Sequence, residues 1–432
     1  MKSKLINFFK KLIAYSFYLF VFLLPWQTKL ILRSDATNFQ EISLYLSSAF
    51  LIFSLFLLFF YKIKWFKDET KVSGLWLALT SFEIFIIISF FFSTDQILSF
   101  YHYILILLGI GLFYLLREAN DKYQYEEAIL NKTKIVYLFF ISVFLQACLG
   151  IYQFLTQSTF AFKYLGLAEH NPNALGTAVV ECSSGRWLRA YGGFDHPNIF
   201  GGVLAITLLV SIYLLARKKV IRSKAEMSSS LFLFIFYFVG LLALFFTFSR
   251  AAYLAFFIGL ICLLIINIRQ KDYWILGRFL ALLFFSIVMA GLIAFPYSDL
   301  LVARSGSDTR LERKSRDERI EYSYQAKEVI SQHWASGVGI GNYVNFIEIK
   351  DQFRKDIWDY QPVHNFFLLL WAEAGVGALF SILIFFFYLK KDCQTNIFWA
   401  VFMAVITLMF FDHWLLSLPF GVIFLFFVFG LI

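Results

Sequence analysis

Charge is what this sequence has least of. Only 16% of its 432 residues are Asp, Glu, Lys or Arg, where soluble domains carry about 25%. Hydrophobic residues make up 60% and mean hydropathy is +0.71. A soluble core has no room for that excess, so it must face lipid or other membrane helices. Cysteine is scarce as well. Of the four, Cys148 and Cys262 lie in apolar runs, and Cys182 and Cys393 fall on opposite sides of the expected membrane, which excludes a disulfide framework. No small-residue cleavage site follows the first apolar segment, so it is read as a retained helix. No repeat of 20–50 residues recurs.

Lysine and arginine outnumber the acids 38 to 29, for a net charge of +9. In a membrane chain this is loop charge that sets orientation, and no nucleic-acid partner is expected. The 57 Phe and 23 Tyr fit the same class, since lipid sets no solubility limit on aromatic rings.

Apolar runs long enough for about 30 Å of hydrocarbon lie near 12–32, 41–61, 73–92, 97–116, 135–155, 195–216, 230–248, 250–268, 275–298, 363–389, 396–412 and 414–431. The expected fold is an all-α polytopic membrane protein, one integral domain over 1–432 with about twelve transmembrane helices. Lys2, Lys4, Lys10, Lys11, Lys62, Lys64, Lys67, Lys71, Arg217, Lys218, Lys219, Arg222 and Lys224 concentrate in alternate connections. That places both termini in the cytoplasm. The long connections 156–194 and 299–362 then lie outside, the larger between helices 9 and 10. Within it, Tyr322, Ala326, Val329, Ile330 and His333 form one stripe of a helix over 316–333, expected to lie over the outer ends of the bundle.

Four clusters reach that outer side. They are Arg189-Ala-Tyr-Gly-Gly-Phe-Asp-His-Pro-Asn198, Thr247-Phe-Ser-Arg250, His333-Trp-Ala-Ser-Gly-Val-Gly-Ile-Gly-Asn-Tyr343, and Gln361-Pro-Val-His364-Asn365 followed by Trp371-Ala-Glu-Ala-Gly-Val-Gly377. An arginine at the edge of hydrocarbon either snorkels or has a partner. Arg189 and Arg250 suit a phosphate, which guanidinium binds bidentately, and His364 suits proton transfer from a sugar hydroxyl. The glycines of 337–341 lack the Lys-Ser/Thr of a phosphate loop and read as a flexible turn. No His-x-x-x-His spacing supports a metal site from His170, His196, His364 and Asp195, and none is expected. The carboxylates Glu83 and Glu373 fall inside spans, either functional or simply helix–helix hydrogen-bonding.

The order Arg-x-x-Gly-x-Phe-x-x-Pro-Asn, Ser-Arg at a span junction, Gly-x-Gly-x-Gly-Asn-Tyr, then His-Asn with Ala-Glu-x-Gly-x-x-Gly resembles the O-antigen ligase and polymerase family (WaaL/Wzy-like, Wzy_C group). The motifs run from Arg189 to Gly377. The resemblance implies a metal- and cofactor-independent, inverting glycosyltransferase. It would move a glycan from undecaprenyl pyrophosphate to an acceptor at the periplasmic face of a bacterial inner membrane. It implies that Arg189, Arg250 and, less directly, Arg319 hold the pyrophosphate and that His364 is the base. Asn198, Asn365 and Glu373 would support them.

A ligase acting on lipid A–core is the first expectation and a polymerase joining repeat units the second. A transporter or flippase of lipid-linked glycan is the reading from another class. Transporters favour ionisable groups at mid-membrane and duplicated halves, whereas here the charges cluster outside.

Overall fold

The structure, a computed structural model, describes residues 2–34, 37, 39–62, 73–121, 129–183, 185–218, 223–306, 310–350, 359–393 and 395–432. Lys64, Lys67, Lys71, Lys219 and Arg222, on which part of the orientation argument rests, lie outside the described residues.

The described residues are helical apart from two short hairpins and the loops that join the elements. Its helices are α1 (Lys2–Leu23), α2 (Leu46–Lys62), α3 (Gly74–Phe90), α4 (Gln96–Asp121), α5 (Lys132–Thr156), α6 (Pro197–Arg217), α7 (Lys224–Phe246), α8 (Arg250–Gln270), α9 (Tyr273–Ala294), α10 (Ser298–Ser305), α11 (Arg310–His333), α12 (Tyr343–Lys350), α13 (Phe366–Asp392), α14 (Asn396–Phe411), α15 (Trp414–Ser417) and α16 (Pro419–Leu431). Strands β1 (Lys29–Arg33) and β2 (Ile42–Tyr45) pair antiparallel, as do β3 (Val179–Cys182) and β4 (Gly185–Leu188). Among the described residues, eight helices are long and apolar enough to cross a membrane: α1, α4, α5, α6, α7, α8, α9 and α13. The apolar α2, α3, α14 and α16 are shorter, at 10–17 residues. The 13 residues of α16 rise about 20 Å.

Two expected boundaries move. The first apolar run does not continue to residue 32, because Pro25 cannot extend α1 and the helix stops at Leu23. Residues 29–33 turn back on 42–45 as a hairpin, tied by a Lys29–Glu41 ion pair of 2.6 Å. The last run is broken in turn at Leu418, where Pro419 opens α16.

The chain divides into two compact units. The first comprises Met1–Phe139, Arg319–Gln394 and Met409–Ile432. In it α13 packs on α3, α16 on α4, and α1 on α2. α13 is kinked at Gly375 (φ 77°), where a Cβ would stand 2.1 Å from the Ala335 carbonyl. The loop 334–341 docks at that kink, with Val338 N–H donating to Ala372 and Val376 N–H to Trp334.

The second unit comprises Phe140–Glu318 and Thr395–Leu408. α6 is its centre, packed by α7, α8 and α9 and buried along most of its length. Gly201 brings α6 onto the α7–α8 turn, since a Cβ there would lie 2.9 Å from Ala252 Cβ and 3.1 Å from Thr247 Oγ1.

Candidate functional site

In the second unit the α7–α8 turn organises an arginine cluster. Thr247 ends α7, and Phe248 adopts φ 47° with its ring wholly buried. For a non-glycine residue that conformation costs of order 1–3 kcal/mol and persists only where its surroundings enforce it. Here two arginines do so. Arg189 Nε donates to the Thr247 carbonyl at 2.6 Å, and Arg304 Nε to the Phe248 carbonyl at 3.0 Å. These carbonyls extend the negative end of the α7 dipole, which favours cations. Arg189 Nη2 also donates to Asn198 Oδ1 at 2.8 Å. His196 and Pro197 set that asparagine in place: His196 Nδ1 accepts the Asn198 N–H and Pro197 starts α6.

Ser249 caps α8, which puts Arg250 at its first position. Arg250 is half exposed, Arg189 only 4% exposed. Glu312, near the start of α11, pairs with both Arg250 (3.0 Å) and Arg304. Burial, and next the Arg304 charge, pull the Arg189 guanidinium down to about 9, with Tyr191, Tyr253 and Glu312 opposing. Three guanidiniums against one carboxylate leave a local excess of positive charge, which fits an anion with more than one negative charge.

In the first unit a second cluster forms around His364. Asn365 caps α13 by accepting the Leu368 N–H at 3.0 Å, and its Nδ2 donates to the Phe410 carbonyl. This fixes the backbone next to His364. Asp412 and His413 occupy the bend between α14 and α15. His364 Nδ1 lies 3.6 Å from Asp412 Oδ1, an ion-pair separation longer than a hydrogen bond. The His364 and His413 rings are 5.0 Å apart, and His413 Nδ1 is 2.7 Å from Ser417 Oγ.

Burial alone would raise the Asp412 carboxyl. The histidines and Arg319 outweigh it and hold the group well below the usual carboxylate range. Burial, then the His364 charge, push His413 down to about 3, against Asp412. The bend therefore holds an ionised carboxylate and a neutral imidazole at ordinary pH. A carboxylate on the Nδ1 side favours the Nδ1–H tautomer of His364 and leaves Nε2 as proton acceptor. Tyr322 on α11 places its ring 6.3 Å from that of His364.

Each expected residue thus has a definite place. Arg189, Asn198 and Arg250 share the arginine cluster, whereas Arg319 influences Asp412 and His413 electrostatically. Glu373 is a structural acceptor: Oε1 takes the Tyr343 N–H at 3.4 Å, at the start of α12. The glycine loop, expected as a flexible turn, adopts a close-packed conformation. Gly337, Gly339 and Gly341 all have positive φ, and added Cβ atoms would stand 2.2–2.4 Å from Glu373, Ser93 and His102. Asn342 within it bonds Asp95 N–H, Thr94 and Ser99. Close packing against backbone and ring atoms is the reason for glycine there. His170 stacks on Tyr191 at 4.0 Å and His196 caps α6. Among the described residues, the donor set close enough for a metal is instead His364, Asp412 and His413, with atoms within 4.8 Å of one another.

Sequence reasoning missed Arg304, Glu312, Asp412 and His413. Asp412-His413 is an ionisable pair interrupting two apolar runs, a signal present in the sequence. Arg304 and Glu312 sit in a stretch so rich in charge that neither stands out.

The described residues form an all-α multi-pass membrane protein that carries an arginine cluster on the α7–α8 turn and a His–Asp–His cluster around His364. Residues 232–383 match the Wzy_C family, described as O-antigen ligase. The match runs from α7 into α13. It includes Arg250, Arg319, His364, Asn365 and Glu373, and it supports an O-antigen ligase- or polymerase-like function. No curated protein and no solved structure matches the chain.

Proposed function

We propose that the protein transfers an oligo- or polysaccharide from undecaprenyl pyrophosphate to an acceptor hydroxyl on lipid A–core, at the periplasmic face of a bacterial inner membrane with both termini cytoplasmic. The observation that carries the reading is the arginine cluster on the α7–α8 turn. Arg189 is buried and held by Thr247 and Asn198, while Arg250, three residues after Thr247 and paired with Glu312, stands half exposed. Preorganised guanidiniums stabilise charge on a leaving group without rearranging, and they bind a diphosphate better than ammonium groups do.

His364 takes the proton of the acceptor hydroxyl at Nε2, and Asp412 steadies the resulting imidazolium. The acceptor oxygen bonds to the anomeric carbon as the carbon–oxygen bond to the diphosphate breaks. Undecaprenyl pyrophosphate departs with that electron pair, its charge held by Arg189 and Arg250. Attack from the opposite face inverts the anomeric centre. Asn198 and Asn365 keep Arg189 and the His364 backbone in place. The lysine and arginine bias of the connections supports the orientation.

The test is transfer by the purified protein in lipid, given undecaprenyl-pyrophosphate glycan and lipid A–core, without nucleotide. Glycan on the core, lost in Arg250→Ala and His364→Ala, supports the ligase. Lengthened donor with untouched core makes the protein a polymerase. A folded protein that turns over no donor with any acceptor contradicts the enzyme.

A further inference from the structure

The carboxylate that holds the arginine cluster together is an unusual feature for a polyanion seat. Glu312 is 8% exposed and touches both Arg250 and Arg304. Its Oε2, though buried, makes no hydrogen bond, and the contact with Arg250 at 3.0 Å is an ion pair only. Its other partner Arg304, 14% exposed, is fixed independently through the Phe248 carbonyl. Arg250 Nη1 reaches the Arg304 carbonyl at 3.5 Å, so the two guanidiniums stay side by side on either side of the same carboxylate. Arg250 is half exposed, which leaves one side of the pair open to an incoming anion.

We propose that Glu312 is an internal stand-in for a donor phosphate: its carboxylate fills the seat formed by Arg250 and Arg304, and a bound diphosphate displaces it. The inference rests on the donor reading above and adds Arg304 as a phosphate-contacting residue. A carboxylate and a phosphate present similar oxygens to a guanidinium fork, but a diphosphate brings more charge. The seat therefore prefers it, while without donor Glu312 keeps two neighbouring cations from repelling each other. Displacement also frees the first turn of α11. A seat already occupied by a single negative charge discriminates against weak anions such as a monocarboxylate.

The probe is inorganic pyrophosphate, titrated into the full-length protein in lipid nanodiscs in phosphate-free buffer. With Glu312→Gln, the expected result is binding about tenfold tighter than wild type, and with Arg304→Gln about tenfold weaker, each the size of one charge-assisted contact. In the wild type, pyrophosphate should speed hydrogen exchange in the first turn of α11, which needs no variant to fold. Glu312→Gln binding no tighter than wild type, or exchange unchanged at saturation, overturns the inference. If Arg250→Ala weakens binding while Glu312→Gln and Arg304→Gln do not alter it, this inference fails and the donor reading stands. If Arg250→Ala has no effect either, the donor reading fails with it.

Discussion

Asp412 stands 3.6 Å from Nδ1 of His364, the only ring nitrogen of that histidine buried without a hydrogen bond among the described residues. The two residues are far apart in sequence, and Asp412 comes from the bend that separates α14 from α15. The carboxylate sets the tautomer and meets the charge that the imidazole acquires. Asp412→Asn should therefore lower kcat by about 10²–10⁴, the range for a disabled general base. KM for donor should change little. Steady-state transfer kinetics checks this, and an Asn variant as active as wild type contradicts it.

The same carboxylate gives a pH signature. Its folded pKa lies below the ordinary 3.8, so the folded state binds fewer protons than the unfolded state in that range. The stabilisation is present at neutral pH and fades as pH falls below about 4. Melting temperature followed from pH 6 downward should drop on the acid side in wild type and drop less in Asp412→Asn. Parallel curves would show that Asp412 is not held ionised by its neighbours.

Arg189 is the residue least replaceable by lysine. Its Nε and Nη2 serve two fixed acceptors, Thr247 O and Asn198 Oδ1. An ammonium group presents no such planar fork. Arg189→Lys should leave the protein folded and raise the donor KM about tenfold or more, one charge-assisted contact being worth about 1.5–3 kcal/mol. Asn198→Ala should act in the same direction more weakly. Donor titration with each variant measures both.

Gly375 is a packing position and not a catalytic one. Its φ is 77° and a Cβ would meet the Ala335 carbonyl at 2.1 Å. Gly375→Ala should lower the melting temperature or prevent folding, while Gly291→Ala, where nothing lies within 4 Å, should be nearly neutral. Thermal melts of the two variants side by side decide it.

Much of this was legible from residue pattern. The stripe Tyr322, Ala326, Val329 and Ile330 is the buried face of α11, because helical periodicity needs only local sequence. The Arg189–Asn198 pair lies within ten residues and is held by local caps. What escaped needs distance or packing. Asp412 and His413 fall at the junction of the runs 396–412 and 414–431, where no lysine or arginine marks the connection. Arg304 and Glu312 gain meaning only when the chain folds onto the α7–α8 turn. Hydrophobicity continues past Leu23, yet Pro25 ends the helix and the exposed Leu30, Ile31 and Leu32 belong to a hairpin. Glycine at 337, 339 and 341 answers to what packs against the loop, which spacing does not reveal.

Holding the diphosphate and removing the acceptor's proton are separate jobs in the proposed mechanism. The most direct test measures donor binding and glycan transfer separately in His364→Ala. Donor affinity should stay within about twofold of wild type, with transfer reduced by about 10²–10⁴. A His364→Ala protein that transfers glycan at the wild-type rate would contradict it.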